Sequence, residues 1–220
     1  MTAYDEIAET YHKFIDADGT GMSDPTLEEL LGEVANQRIL VAACGQGRDA
    51  RMLADLGATV VGVDISERLL TYARQFEQAR PRGIRYMQGD AQNLENIADD
   101  SFTGAICHMA LMDIPTVTPT IDSFGRVLQT GGFLVLSIVH PCFAPHVTAV
   151  EDYLTEERYQ KIDGPDWLPP HAYHRPLSTY INALANAGFV ITHMVEPRDT
   201  SRADKGVPGL LYLRCALRQG

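Results

Sequence analysis

Three residues define the chemistry open to this chain: Gly45, Gly47 and Asp64. The apolar run ILVAACGQG, residues 39–47, reads as a strand entering a glycine turn that opens a helix. Neither glycine has a side chain, so the backbone there can approach a ligand closely. The unpaired N–H groups of the following helix point to the same place. A second apolar run, TVVGVD, ends on Asp64, whose carboxylate can accept hydrogen bonds from both hydroxyls of a ribose. Together these features predict a cofactor that contains adenosine. Gly45-x-Gly47-x-x-Ala50 also satisfies the dinucleotide fingerprint, with Asp64 near the expected ~20 residues downstream, so a nicotinamide-dependent oxidoreductase is an alternative on this segment.

Proton transfer is the second chemistry on offer. His140, in SIVHPCF, closes a strand-like run and is the first candidate for a general base; Asp113, in ALMDIP, is the second. A hydrogen-bonded structural histidine before Pro141 is the alternative role for His140. His171 and His174 frame Tyr173 in PPHAYHRP, but no further ligand cluster supports a metal, and none is expected.

Strand-like runs span residues 38–43, 59–64, 84–88, 103–108, 132–140, 189–196 and 210–217. Helical patterns at 48–56, 66–78, 119–129 and 177–187 fall between them. Such alternation predicts an α/β fold: a Rossmann-like, mostly parallel seven-stranded sheet with helices on both faces. Residues 1–36 precede the first strand and read as a helical cap. Residues 141–175, rich in Pro, His and aromatics, follow the fifth strand and read as a substrate-side insertion, within one domain covering 1–220.

The 220 residues carry a net charge of −11 with scattered basic side chains, which argues against nucleic acid as a partner. No apolar run reaches the ~20 residues of a membrane span. Cys44, Cys107, Cys142 and Cys215 fit no zinc spacing. A cytoplasmic location is expected, and the sequence is compatible with a monomer or a homodimer.

The order of several motifs narrows the choice of cofactor. ILVAACGQG is followed by Gly62-Val63-Asp64-Ile65-Ser66, then Gly89-Asp90-Ala91, then SFTGAICHMALMDI, then RVLQTGGFLVLS. In this order and at these separations, the chain from Tyr4 to Gly132 resembles the class I S-adenosylmethionine-dependent methyltransferases. The resemblance implies methyl transfer from S-adenosylmethionine to an oxygen or nitrogen of a small-molecule acceptor. It implies cofactor contacts from Tyr11, Ala43, Gly45, Gln46, Gly47, Asp64, Ile65, Asp90, Ala91, Cys107 and His108. Within these, Asp64 would hold the ribose, Ile65 would pack on adenine and Asp90 would meet its amino group. Met112, Trp167, His171, Tyr173 and His174, with His140, are the expected acceptor wall. The chain departs from the family at Val41, where an acidic residue that helps hold the cofactor ammonium is usual, and at Ala43, where glycine is usual.

Overall fold

The structure is a computed structural model describing residues 2–15, 24–143, 152–161, 166, 168–198 and 206–218. In chain order the elements are α1 (Ala3–Ile15), α2 (Pro25–Leu31), β1 (Arg38–Ala42), α3 (Arg48–Asp55), β2 (Thr59–Asp64), α4 (Glu67–Ala79), β3 (Arg85–Gln88) and β4 (Phe102–His108). They continue as α5 (Val117–Val127), β5 (Leu128–Val139), β6 (Glu157–Gln160), β7 (His171–His174), α6 (Leu177–Asn186), β8 (Phe189–Val195) and β9 (Leu210–Leu217).

Seven strands form one sheet in the order β3-β2-β1-β4-β5-β9-β8. The first five are parallel, and β9 runs antiparallel to both of its neighbours. Central strands are buried on both faces, which is why their sequences are continuous apolar runs rather than alternating ones. Alternate side chains of β1 and β2 enter two different cores. Leu40, Ala42, Val61 and Val63 pack with Ile121 and Phe124 of α5 and Leu184 of α6. Ile39, Val41 and Val60 pack with Leu27 and Leu31 of α2, Leu53 of α3 and Leu70 of α4. The predicted α/β sheet with helices on both faces is therefore the observed one.

The order in which successive strands are added reverses between β1 and β4, with β1 to β5 all parallel, and an open α/β sheet binds ligands outside the carboxyl ends of its strands at such a switch point. The helix expected from Pro119 starts two residues earlier, with Thr116 at its N-cap position and the Thr116 hydroxyl bonded to Gln92 rather than to the helix. Strand β5 begins at Leu128 rather than at Gly132, because buried Leu128 pairs with Phe102 before the register shifts. Strands β6 and β7, which the sequence patterning does not predict, form a separate antiparallel pair between β5 and α6. The backbone N–H of Tyr173 in β7 donates to the Met112 carbonyl at 2.7 Å, stitching this small sheet to the segment after β4.

Helix α1 is fastened to the start of α4. Ser66 caps α4 by accepting from the Leu69 N–H, while its hydroxyl donates to Asp5 Oδ1 at 2.6 Å. The Arg68 guanidinium donates to the Asp5 carbonyl at 2.7 Å. His12 stacks on Tyr72 with ring centroids 4.0 Å apart.

Candidate active site

A cavity of about 520 Å³ lies at the carboxyl ends of β1, β2 and β4, within the ~300–1,000 Å³ of small-molecule sites. The turn after β1 forms one wall. Ala43, Gly45 and Gly47 all adopt left-handed backbone, with φ of 51°, 55° and 83°. Tyr11 of α1 lies over this turn, and a Cβ on Gly45 would sit 3.8 Å from its ring. Gly47 has a different role from the one expected. It does not line the cavity; a Cβ there would fall 2.7 Å from Cζ of Tyr86, so its absence of a side chain serves packing behind the turn.

Asp64 lines the cavity at 6% exposure. Its Oδ2 accepts from the Gly45 N–H at 2.7 Å and its Oδ1 from the Ser66 N–H at 2.8 Å. Burial still dominates and pushes its pKa up to about 6. Gln46 also lines the cavity; its Oε1 meets His12 Nδ1 at 2.6 Å, and its buried Nε2 has no hydrogen-bond partner among the described residues.

Beside the turn sits a cluster that the sequence reading did not assemble: Asp24, Arg48, Asp49, His108 and Tyr212. His108 Nδ1 lies 2.9 Å from Asp49 Oδ2, and its Nε2 lies 3.2 Å from Asp24 Oδ2. Tyr212 donates to Asp24 at 2.7 Å, and Arg48 Nε donates to Asp49 Oδ1 at 3.0 Å. Burial alone would push His108 down, but the hydrogen bonds to Asp24 and Asp49 overcome it and hold the imidazolium up to about 9.

The opposite wall carries Tyr4, Asp113, Tyr159 and Lys161. Lys161 Nζ lies 3.3 Å from Asp113 Oδ1, both side chains only 8% exposed, and Tyr4 donates to Asp113 Oδ2 at 2.8 Å. Burial raises the Asp113 pKa against the opposing pull of Lys161 and Tyr4. Met109, Met112, Ile114, Val139, Leu168 and Leu210 supply apolar surface around these groups.

Of the residues singled out from sequence, Tyr11, Ala43, Gly45, Gln46, Asp64, Ile65, His108, Met112 and Asp113 line this cavity. Others do not. His140 is 1% exposed and both ring nitrogens are engaged: Nδ1 accepts from the Cys142 N–H at 3.1 Å and Nε2 meets Glu196 Oε1 at 2.7 Å. It is a structural histidine closing β5, and its reading as first-choice base is corrected. Cys107 and Ala91 pack in the core beneath the sheet edge. The Asp90 carboxylate is turned onto the backbone and side chain of Gln92 at 2.9 Å. Along β7, Tyr173 lies under the Arg175 guanidinium and His174 Nε2 meets the Tyr153 carbonyl at 2.9 Å, so these side chains brace the small sheet. His171 is also absent from the lining, and Trp167 lies outside the described residues. From this part of the chain it is Tyr159, Lys161 and Leu168 that line the cavity instead.

A parallel switch point, a glycine turn and a carboxylate at the end of the second strand define a nucleotide-type cofactor site. Comparison with known proteins makes the class specific. The family described as "Methyltransferase domain" matches residues 40–136. An S-adenosylmethionine dependent methyltransferase from Mesorhizobium loti superposes with a TM-score of 0.75 and 30% identity, covering 87% of this chain and 96% of that one. A demethylmenaquinone methyltransferase from Renibacterium salmoninarum is 32% identical over 57% of this chain, and a ubiquinone biosynthesis O-methyltransferase from Alkalilimnicola ehrlichii is 27% identical over 51% of it. These two matches span only 52% and 45% of the relatives' own lengths. The chain belongs to the class I S-adenosylmethionine-dependent methyltransferases, and its cofactor is S-adenosylmethionine; the nicotinamide alternative falls away. The residues present fit that group: the turn and Asp64 face the cavity, and Gln46 brings to it a buried donor that has no described partner. Among the described residues no helix is long and apolar enough to cross a membrane.

Proposed function

We propose that this protein methylates an oxygen or nitrogen of a small-molecule acceptor in the cytoplasm. The observation that carries the reading is one cavity with two differently equipped ends: the glycine turn with Asp64, and the buried Asp113–Lys161 pair facing apolar surface. Relatives named for demethylmenaquinone and for ubiquinone biosynthesis support a small-molecule acceptor. The cysteines, all free, suit a reducing compartment.

When bound, S-adenosylmethionine supplies an electrophilic methyl group on a sulfonium. Asp64 holds the ribose hydroxyls and Ile65 packs on adenine, while Tyr11 covers the turn. The enzyme's remaining tasks are to align the acceptor, exclude water and remove a proton where the acceptor carries one. Asp113 is the group placed to take that proton. Its burial raises its proton affinity toward the range where a carboxylate serves as a base. Lys161 steadies the acceptor atom and the resulting Asp113 by donating to either. Tyr4 holds Oδ2 and Lys161 holds Oδ1, one bond on each oxygen, so the carboxylate is fixed in place and keeps acceptor capacity for the proton.

Calorimetry with S-adenosylhomocysteine tests the cofactor half. Binding is expected, and Asp64→Ala should weaken it at least tenfold. Failure of the intact protein to bind, or protection from thermal unfolding by a nicotinamide dinucleotide alone, would overturn the reading.

A further inference from the structure

S-adenosylmethionine ends in an amino-acid tail, an ammonium and a carboxylate on one carbon. Such a zwitterion needs an anion and a cation side by side, each with hydrogen-bonding capacity to spare. Strand β1 offers none, since Val41 is buried and apolar. Besides the contacts of His108 with Asp24 and Asp49, the described lining holds two anion–cation pairs. Asp113 and Lys161 come from the segment after β4 and the residue following β6, and Asp113 is already tied to Tyr4. Arg48 and Asp49 follow the turn directly in sequence. The Gly45 N–H of that same turn is bonded to Asp64, the residue that takes the ribose. The tail is joined to the ribose through a single sulfur, so its pair must adjoin the turn.

We propose that Arg48 and Asp49 form the seat for the amino-acid tail, Arg48 taking its carboxylate and Asp49 its ammonium, with His108, Asp24 and Tyr212 as positioning residues. This rests on the cofactor reading above.

Hydrogen-bond capacity separates the roles. A carboxylate offers about four acceptor sites. Asp24 uses Oδ1 on the Leu27 N–H, and Oδ2 on both Tyr212 and His108, so it is nearly saturated. Asp49 has one partner on each oxygen, Arg48 on Oδ1 and His108 on Oδ2, and keeps two sites. His108, charged because its two carboxylates outweigh its burial, donates from both nitrogens. Its Nδ1 therefore cannot accept from the Arg48 terminal nitrogen 3.2 Å away. That N–H is left facing another donor and is satisfied by an incoming carboxylate. Gln46, 1% exposed and lining the same cavity, adds a second unmatched donor in Nε2. Paired charges keep the seat close to neutral, matching a zwitterion rather than a simple anion.

The test compares S-adenosylhomocysteine with 5′-methylthioadenosine, which keeps the nucleoside and sulfur but lacks the tail, by calorimetry on the full chain. The unmodified protein should prefer S-adenosylhomocysteine by at least tenfold. Asp49→Asn and Arg48→Gln, made separately, should each weaken S-adenosylhomocysteine at least tenfold and leave 5′-methylthioadenosine within threefold. The decarboxylated amine analogue should be weakened by Asp49→Asn but not by Arg48→Gln. Equal binding of both thioethers by the unmodified protein overturns the inference without any variant. Variants that weaken both thioethers alike, or neither, also overturn it while leaving the proposed function standing. An unmodified protein that binds neither thioether overturns both.

Discussion

The two walls of the cavity are built by opposite means. On the turn side, residues 43–46 and 64–65 come from two short stretches, and backbone geometry does the holding: left-handed φ angles at Ala43 and Gly45 shape the turn, and two N–H groups orient Asp64. On the far side Tyr4, Asp113, Tyr159, Lys161 and Leu168 arrive from α1, the β4–α5 connection and the segment from β6 to β7. They are held by side-chain contacts, such as Tyr4 on Asp113, and by one backbone bond from Tyr173 to Met112. A backbone-built wall tolerates little substitution at its turn. A wall of side chains from scattered segments can be rebuilt one residue at a time without disturbing the other.

Four measurements press on that contrast. The largest effect is expected from Gly47→Ala: overlap with Tyr86 and the left-handed backbone together should lower unfolding stability by about 3 kcal/mol in urea titration. A loss under about 1 kcal/mol would mean the turn is softer than described. Next, Asp113→Asn should reduce kcat about 100-fold, the lower end for loss of a general base. S-adenosylhomocysteine affinity should stay within twofold, and a comparable fall in that affinity would join the two walls into one functional unit.

Third comes pH. The Asp64 carboxylate, raised to about 6, accepts from both ribose hydroxyls in its ionised form, and protonation turns one of its acceptor sites into a donor. Affinity for S-adenosylhomocysteine should be full above pH 7 and fall as pH drops through 6, by about tenfold one unit below it. A profile flat from pH 8 to pH 5 would remove Asp64 from ribose binding. The smallest effect is Ala43→Gly. It relieves a Cβ at φ 51° and should raise stability by up to about 1 kcal/mol, read as a shift in the denaturant midpoint.

Sequence alone carried the sheet well, because its central strands are dominated by buried apolar runs, such as Ile39–Ala42 in β1 and Val60–Val63 in β2, closed by a turn or by Asp64. It located the turn, Asp64, Met112 and Asp113 at the carboxyl edge, since strand ends map directly to that edge. It misassigned His140 because a histidine at a strand end reads the same whether it faces the cavity or is tied to Glu196. The β6–β7 pair was invisible: four-residue strands such as ERYQ, mostly exposed, show no usable period. Lys161 and Tyr159 went unnoticed for that reason. Arg48 and Asp49 were legible as neighbours of the turn. What gives them meaning is contact with His108 and Asp24, residues 59 and 25 positions from Asp49, and only the folded chain supplies that.

Helix α1 puts Tyr4, Tyr11 and Ile15 over the cavity and is clasped at Asp5 by Ser66 and Arg68. The clasp at Asp5 therefore fixes two things at once: the aromatic roof that Tyr11 lays over Gly45, and the Tyr4 hydroxyl that steadies Asp113.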